Sequence, residues 1–155
     1  MLDILQVILV SILPIAELRG GIPLAYGLGL SPAAAYIVAV AANIAIVPVI
    51  FFFLDYLHKH FMRIPPYRKL FNHFLERARR NAEAKLKRWG YFGLVLFVGI
   101  PLPITGAYTG TLAAWFFELE RKKAMLAIAL GVMMAGVIVS LVMITGTSAF
   151  QIFVK

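Results

Sequence analysis

The sequence predicts an all-α integral membrane protein. Its plan is an inverted repeat of a re-entrant, membrane-inserted helical hairpin plus a transmembrane helix, with a basic amphipathic cytoplasmic helix between the repeats. Three observations carry this. Of 155 residues, 62% are hydrophobic and the mean hydropathy is +0.89. Ordinary soluble domains are about 45–50% apolar, and a core of this length cannot hide the surplus from water. Two uninterrupted apolar runs, 33–57 and 124–150, are long enough to cross a ~30 Å hydrocarbon layer. Finally, a broken apolar stretch followed by a long span occurs twice, on either side of a basic segment. Length points to one membrane domain, 1–155.

The first broken stretch is 3–31. Its opening run, 4–13, makes about 15 Å of helix, half the hydrocarbon thickness. Asp3 stands where a secretory signal carries basic residues, so this run is expected to stay in the mature protein. Pro14 stops it. Glu17, Arg19, the Gly20-Gly21 pair and Pro23 then make a poor continuous helix. The span at 33–57 follows Ser31, a good N-cap, and Pro32, suited to a first helical position. Asn43 and Pro48 lie inside the span, and Asp55 lies near its end.

Residues 58–89 hold ten Lys and Arg against two acids. From Tyr67 onward, Leu70, Phe71, Phe74, Leu75, Ala78, Ala82, Leu86 and Trp89 fall on one helical stripe. Two readings fit. One is an interfacial helix that meets an anionic leaflet through Arg77, Arg79, Arg80, Lys85, Lys87 and Arg88. The other is a helix packed on the ends of the spans. Either way the net charge of +8 points to a membrane surface and not to nucleic acid. The second broken stretch is 91–118, interrupted between Pro101 and Thr111. Along 124–150, Ala127, Gly131, Ala135 and Gly136 have the spacing of a close helix contact.

The two broken stretches align at an offset of 89: Pro14-Ile15 on Pro103-Ile104, Gly21 on Gly110, and Leu24-Ala25 on Ala113-Ala114. Charge sets the orientation, because cytoplasmic flanks are rich in Lys and Arg. Segment 58–89 and the cluster Arg121-Lys122-Lys123 share one side only if the second broken stretch enters the bilayer and returns. The rival is four full spans. Irregular backbone at membrane depth must be buried in protein or line a cavity, so the two tips are expected to meet and form one site.

Glu17 and Arg19 are the only charges between Asp3 and Asp55. An ionisable group at membrane depth faces a cavity or a partner. In one reading the two neutralise each other and pin the turn. In the other, Arg19 contacts an anionic group and Glu17 takes up and releases a proton. Helix N-termini starting after Gly21 and Gly110 would add free N–H groups. Gly20 and Gly106 belong to the same two tips. The second tip supplies hydroxyls, Thr105, Tyr108, Thr109 and Thr111, for a headgroup or for opened backbone. Asn43 either faces the cavity or joins helices.

Absence of cysteine excludes disulfides and thiol chemistry. His58-Lys59-His60 has no third ligand nearby, so no metal is expected. No phosphate-binding loop, dinucleotide fingerprint or hydrolytic triad points to an enzyme or a cofactor.

The segment Glu17-Leu18-Arg19-Gly20-Gly21-Ile22-Pro23-Leu24 resembles the signature of the small multidrug export protein family. Pro101-Leu102-Pro103-Ile104-Thr105-Gly106-Ala107-Tyr108-Thr109-Gly110 resembles its second signature. Arg121-Lys122-Lys123-Ala124 followed by Gly131 also fits, so the resemblance covers essentially the whole chain. The family name implies drug efflux. The hairpins are also similar to those of the broader DedA-like (VTT-type) superfamily, implicated in moving lipids or polyprenyl-phosphate carriers between leaflets. That similarity implies an acid in the first hairpin, supplied by Glu17. It also implies an arginine in the second hairpin, which this chain lacks, so Arg19 would have to serve.

The expectation is a small transporter in the plasma membrane, a translocase for an amphiphile with an anionic head such as a polyprenyl phosphate or phospholipid, with protonation of Glu17 as a coupling step. The alternatives are an exporter of lipophilic cations and a non-transporting scaffold. Only two elements would cross fully, so a homodimer or higher oligomer is expected to shield the hairpins.

Overall fold

The computed structural model describes residues 2–102 and 105–153; the side chains at 59, 74, 77, 78, 80–82, 84–87 and 147–153 also lie outside the described set. Pro103-Ile104 and the basic side chains Arg77, Arg80, Lys85 and Lys87 therefore lie outside it. All regular structure among the described residues is helical: α1 (Leu2–Ile12), α2 (Glu17–Gly27), α3 (Pro32–Phe52), a π-helical turn (Phe53–Leu57), α4 (His58–Phe61), α5 (Pro65–Gly99), α6 (Ala107–Phe116) and α7 (Arg121–Phe153).

Among the described residues two helical stretches are long and apolar enough to cross a membrane, Pro32–Leu57 and Arg121–Gly146. Ser31 caps the first, its Oγ accepting from the Ala34 N–H at 3.3 Å with Pro32 at the first position. The short helices α1, α2 and α6 have 11, 11 and 10 residues. Each is about 15–17 Å long, too short to span by itself. α3 begins at residue 32 and α7 at 121, the same offset of 89 that aligns the broken stretches, and each follows a short helix.

One expectation is corrected. Residues 17–27 form one continuous helix despite Gly20, Gly21 and Pro23. Tertiary packing overrides propensity, because both glycines are contact points. A Cβ on Gly20 would lie 3.2 Å from Val10 Cγ1 of α1, and one on Gly21 would strike the Ser11 side chain. The basic segment and the apolar stretch after it, together labelled α5, are two helical pieces that meet at a kink at Gly90 (φ 54°, ψ −132°), a conformation that suits glycine alone. Within the basic stripe, Phe71 and Leu75 are half-buried, whereas Leu70 and Trp89 are exposed.

The core is a close helix assembly around Val98, which is fully enclosed. Gly110 of α6 and Gly131 of α7 both admit it: a Cβ on Gly131 would lie 2.7 Å from Val98 Cβ and 2.8 Å from the Val95 carbonyl. Gly136 likewise admits Val40 and Tyr36 of α3, and the Tyr36 hydroxyl donates to the Met133 carbonyl at 3.2 Å. The small-residue stripe on α7 is thus the face that receives α5 and α3. Outside it, Leu126, Leu130, Leu141 and Val142 are exposed, as are Leu2, Leu5 and Leu9 on α1. Exposed apolar rows of that extent suit lipid contact.

Candidate functional site

The turn between α1 and α2 meets the turn between α5 and α6, and three contacts tie them together. The Glu17 carboxylate accepts from the Tyr108 backbone N–H at 3.2 Å. The Arg19 guanidinium donates to the Leu102 and Thr105 carbonyls, and to Thr105 Oγ1 at 3.0 Å. The Tyr108 hydroxyl donates to the Ile12 carbonyl.

The Glu17 contact follows from how α6 begins. Its N-cap is Gly106, which has no side chain to satisfy the first N–H groups. Glu17, at the start of α2, supplies the missing carboxylate, where the helix dipole favours negative charge. Gly106 is required twice over: its φ is +155°, and a Cβ would run into the Glu17 carboxylate. Glu17 is 7% exposed and has a left-handed backbone, φ +48°. For a non-glycine residue that costs on the order of 1–3 kcal/mol, a strain that recurs at ligand clamps and switches.

Arg19 spreads across the second tip. Thr105 Oγ1 donates within the same turn, to the Ile100 carbonyl at 2.7 Å, and receives the Leu102 N–H at 3.2 Å. Arginine and threonine together satisfy backbone groups that the interrupted helix leaves open. Asn43, fully buried on α3, donates to the Ser11 carbonyl at 2.9 Å and borders the same junction. Its Oδ1 and Ser11 Oγ are buried without a hydrogen-bond partner. The space enclosed by Glu17, Arg19, Asn43 and Gly106 holds no water-sized void, so the junction is closed.

The structure therefore gathers Glu17, Arg19, Asn43, Thr105, Gly106 and Tyr108 at one junction. It does not gather the rest. Gly20, Gly21 and Gly110 lie inside helices as packing positions, so no helix starts after Gly21 or Gly110; the N-terminus that receives an anion is that of α6 at Ala107. Thr109 and Thr111 donate to the Gly106 and Ala107 carbonyls of their own helix.

Beside the junction runs an apolar groove of about 370 Å³. It is lined by Pro14, Val49, Phe53, Tyr67, Tyr108 and Thr109 among others, and Val49 is exposed on its outer side. The groove brings lipophilic space to the residue whose N–H holds Glu17.

Sequence reasoning missed a second polar cluster. Asp55, in the π-helical turn, accepts from Arg121 at 2.5 Å and from the Trp115 indole N–H at 3.1 Å. His58 is buried beside it, its Nδ1 3.1 Å from the Tyr67 hydroxyl. Burial holds the His58 imidazole below its ordinary value and pushes the Tyr67 phenol up. The available signals were Asp55 at the end of an apolar run and a rare tryptophan just before a basic cluster.

Among the described residues no group of three or more His, Asp or Glu side chains is placed to hold a metal ion. No curated protein and no solved structure matches this chain. A family model does match, over residues 17–138, a stretch that opens on Glu17 and takes in α2, the turn before α6 and the first half of α7; the chain belongs to the family described as "putative small multi-drug export protein".

Proposed function

We propose that this protein is a secondary transporter that exports lipophilic cations in exchange for protons carried on Glu17. The observation that carries the reading is the position of Glu17: a carboxylate enclosed where two helix-breaking tips meet, next to an apolar groove open toward the lipid-facing surface. A buried carboxylate is stable when protonated or when paired with a cation, and unstable as a bare charge. Proton and cation therefore compete for it. Its present partners are backbone N–H groups of α6, which a proton or an organic cation can replace as the tips separate. The groove takes the substrate's apolar body, and the closed junction prevents leak.

The anionic-headed amphiphile has less support. Its anchor, Arg19, spends its terminal nitrogens on the Leu102 and Thr105 carbonyls and the Thr105 hydroxyl. Arg19 serves here as the clamp between tips.

In this reading α1–α2 and the end of α5 with α6 are membrane-inserted hairpins of opposite orientation. Their short helices and the recurring offset of 89 support that arrangement. Residues at equivalent places in the two units touch, Glu17 lying against Gly106. The basic part of α5 faces the cytoplasm of a plasma-membrane protein by the positive-inside rule, with exposed Arg79 and Arg88 toward anionic lipid. A second copy of the chain shields the hairpins. No step alters the substrate covalently.

The test is flux in proteoliposomes. Under an imposed pH gradient, tetraphenylphosphonium should move with counterflow of protons. Glu17→Gln should lower the rate at least about 10-fold while the amide keeps accepting from Tyr108, leaving stability within about 1 kcal/mol. Movement of a polyprenyl phosphate or a phospholipid instead, with no cation flux, would overturn the reading in favour of a lipid translocase.

A further inference from the structure

A cavity of about 620 Å³ lies where α4 meets α6, the first residue of α7 and the first half of α5. Its size falls in the ~300–1,000 Å³ range of small-molecule sites. Its wall is aromatic: Phe71 and Trp115 meet edge to face at 6.5 Å, with the His58 ring 4.0 Å from Phe71 and 5.5 Å from Trp115, and Phe116 beside them. Aromatic faces arranged round a pocket attract organic cations.

Charge at the cavity fits the same ligand, because the arginines there are paired with acids: Arg79, whose guanidinium lies over the Phe116 ring at 5.4 Å, is 3.9 Å from Glu83. Arg121 reaches its wall, but Asp55 neutralises it at 2.5 Å and the guanidinium lies over the Phe51 ring at 4.6 Å. Asp55 also holds the Trp115 indole N–H, which fixes that wall. Glu118, exposed at the cavity's edge, is the acid among its described lining residues. Its backbone is left-handed, φ +53°, where a glycine would be unstrained. A second irregularity, the π-helical turn, carries Asp55 to Trp115 and Arg121; such turns recur at functional sites. Two backbone departures thus frame one cavity.

We propose that this cavity is a second binding site, separate from Glu17, for aromatic lipophilic cations. It deepens the reading above, on which its place in transport rests. Phe71 walls both this cavity and the groove beside Tyr108, so a cation held here is one side chain away from the groove.

The chain has two tryptophans, so Trp89→Phe leaves Trp115 as the sole indole reporter. The full chain in detergent is titrated with tetraphenylphosphonium and with tetraphenylborate, an anion of the same shape. The expected result is a saturable change in Trp115 emission with the cation and none with the anion. Glu118→Gln should weaken binding about 5- to 10-fold and Glu118→Asp should restore it. Glu17→Gln should leave the signal intact while lowering flux at least about 10-fold. A Trp115 signal in a protein that transports no cation would leave this site standing and remove the transport reading. No signal, an equal signal from tetraphenylborate, insensitivity to Glu118→Gln, or loss in Glu17→Gln would overturn the second site.

Discussion

Single side chains at the tip junction do two different jobs, and stability separates them from function. Arg19→Ala removes donors from the Leu102 and Thr105 carbonyls; Leu102 still accepts from the Thr105 backbone N–H, whereas the carbonyl of buried Thr105 loses the guanidinium. Lost charge-assisted bonds and an unpaired carbonyl together cost about 3 kcal/mol. Arg19→Lys recovers only part of that, because an ammonium cannot fork across two carbonyls. Thermal unfolding in detergent reads both. His58 predicts a pH dependence. Its folded pKa lies below the ordinary 6.5 because burial disfavours the charged ring. As pH falls below about 6.5 the unfolded chain takes up this proton first, so stability is full above that value and declines below it. The unfolding temperature should drop between about pH 7.5 and 5.5, and His58→Phe should flatten that slope. Glu17 and Arg19 were legible in the sequence because charges stand out in apolar surroundings. Their partners were not, since the Tyr108 N–H and the carbonyls of Leu102 and Thr105 are backbone groups that no residue type announces.

Elements in this molecule are joined through small residues, so a helix face tolerates a methyl group only where nothing approaches it. Gly131→Ala puts a Cβ against Val98 and the Val95 carbonyl, and a carbonyl of a packed helix cannot swing aside. The substitution should cost about 1–3 kcal/mol. Gly146, on the same helix, has nothing within 4 Å of its built Cβ. Gly146→Ala should instead stabilise by about 0.5–1 kcal/mol, from helix propensity alone. Opposite signs from one substitution type on one helix, measured by unfolding in detergent, would identify packing as the cause. The stripe of Ala127, Gly131, Ala135 and Gly136 was readable from spacing. The long spans were readable from hydropathy, and the Ser31-Pro32 start from capping chemistry. The continuity of α2 through Gly20, Gly21 and Pro23 was not, because local propensity opposes it and only contacts with Ser11 and Ala39 explain it. The π-helical turn was equally silent: one extra residue in a helical turn leaves no compositional mark, yet it brings Asp55 to Trp115 and Arg121.

At the scale of the whole molecule, the transport reading depends on which side of the bilayer each end of the second broken stretch occupies. The apolar part of α5 beyond Gly90 and α6 each make only about half a bilayer of helix, and α5 packs against α6. A chain that descends and returns leaves Trp89 and Lys122 on one face; a chain that crosses leaves them on two. Lys and Arg crowd both positions, and by the positive-inside rule both are expected on the cytoplasmic side. The sequence contains no cysteine, so single cysteines at Trp89, Lys122 and Gly27 give an unambiguous background for labelling. Gly27 is exposed with nothing within 4 Å, so its substitution leaves the packing undisturbed. In sealed right-side-out vesicles an impermeant maleimide should reach Gly27→Cys, and should reach Trp89→Cys and Lys122→Cys only after lysis. Labelling of Lys122→Cys but not Trp89→Cys in intact vesicles would make the second stretch a full crossing. The two tips would then no longer be opposed hairpins, and Glu17 would have no route to alternate exposure by the separation proposed for it.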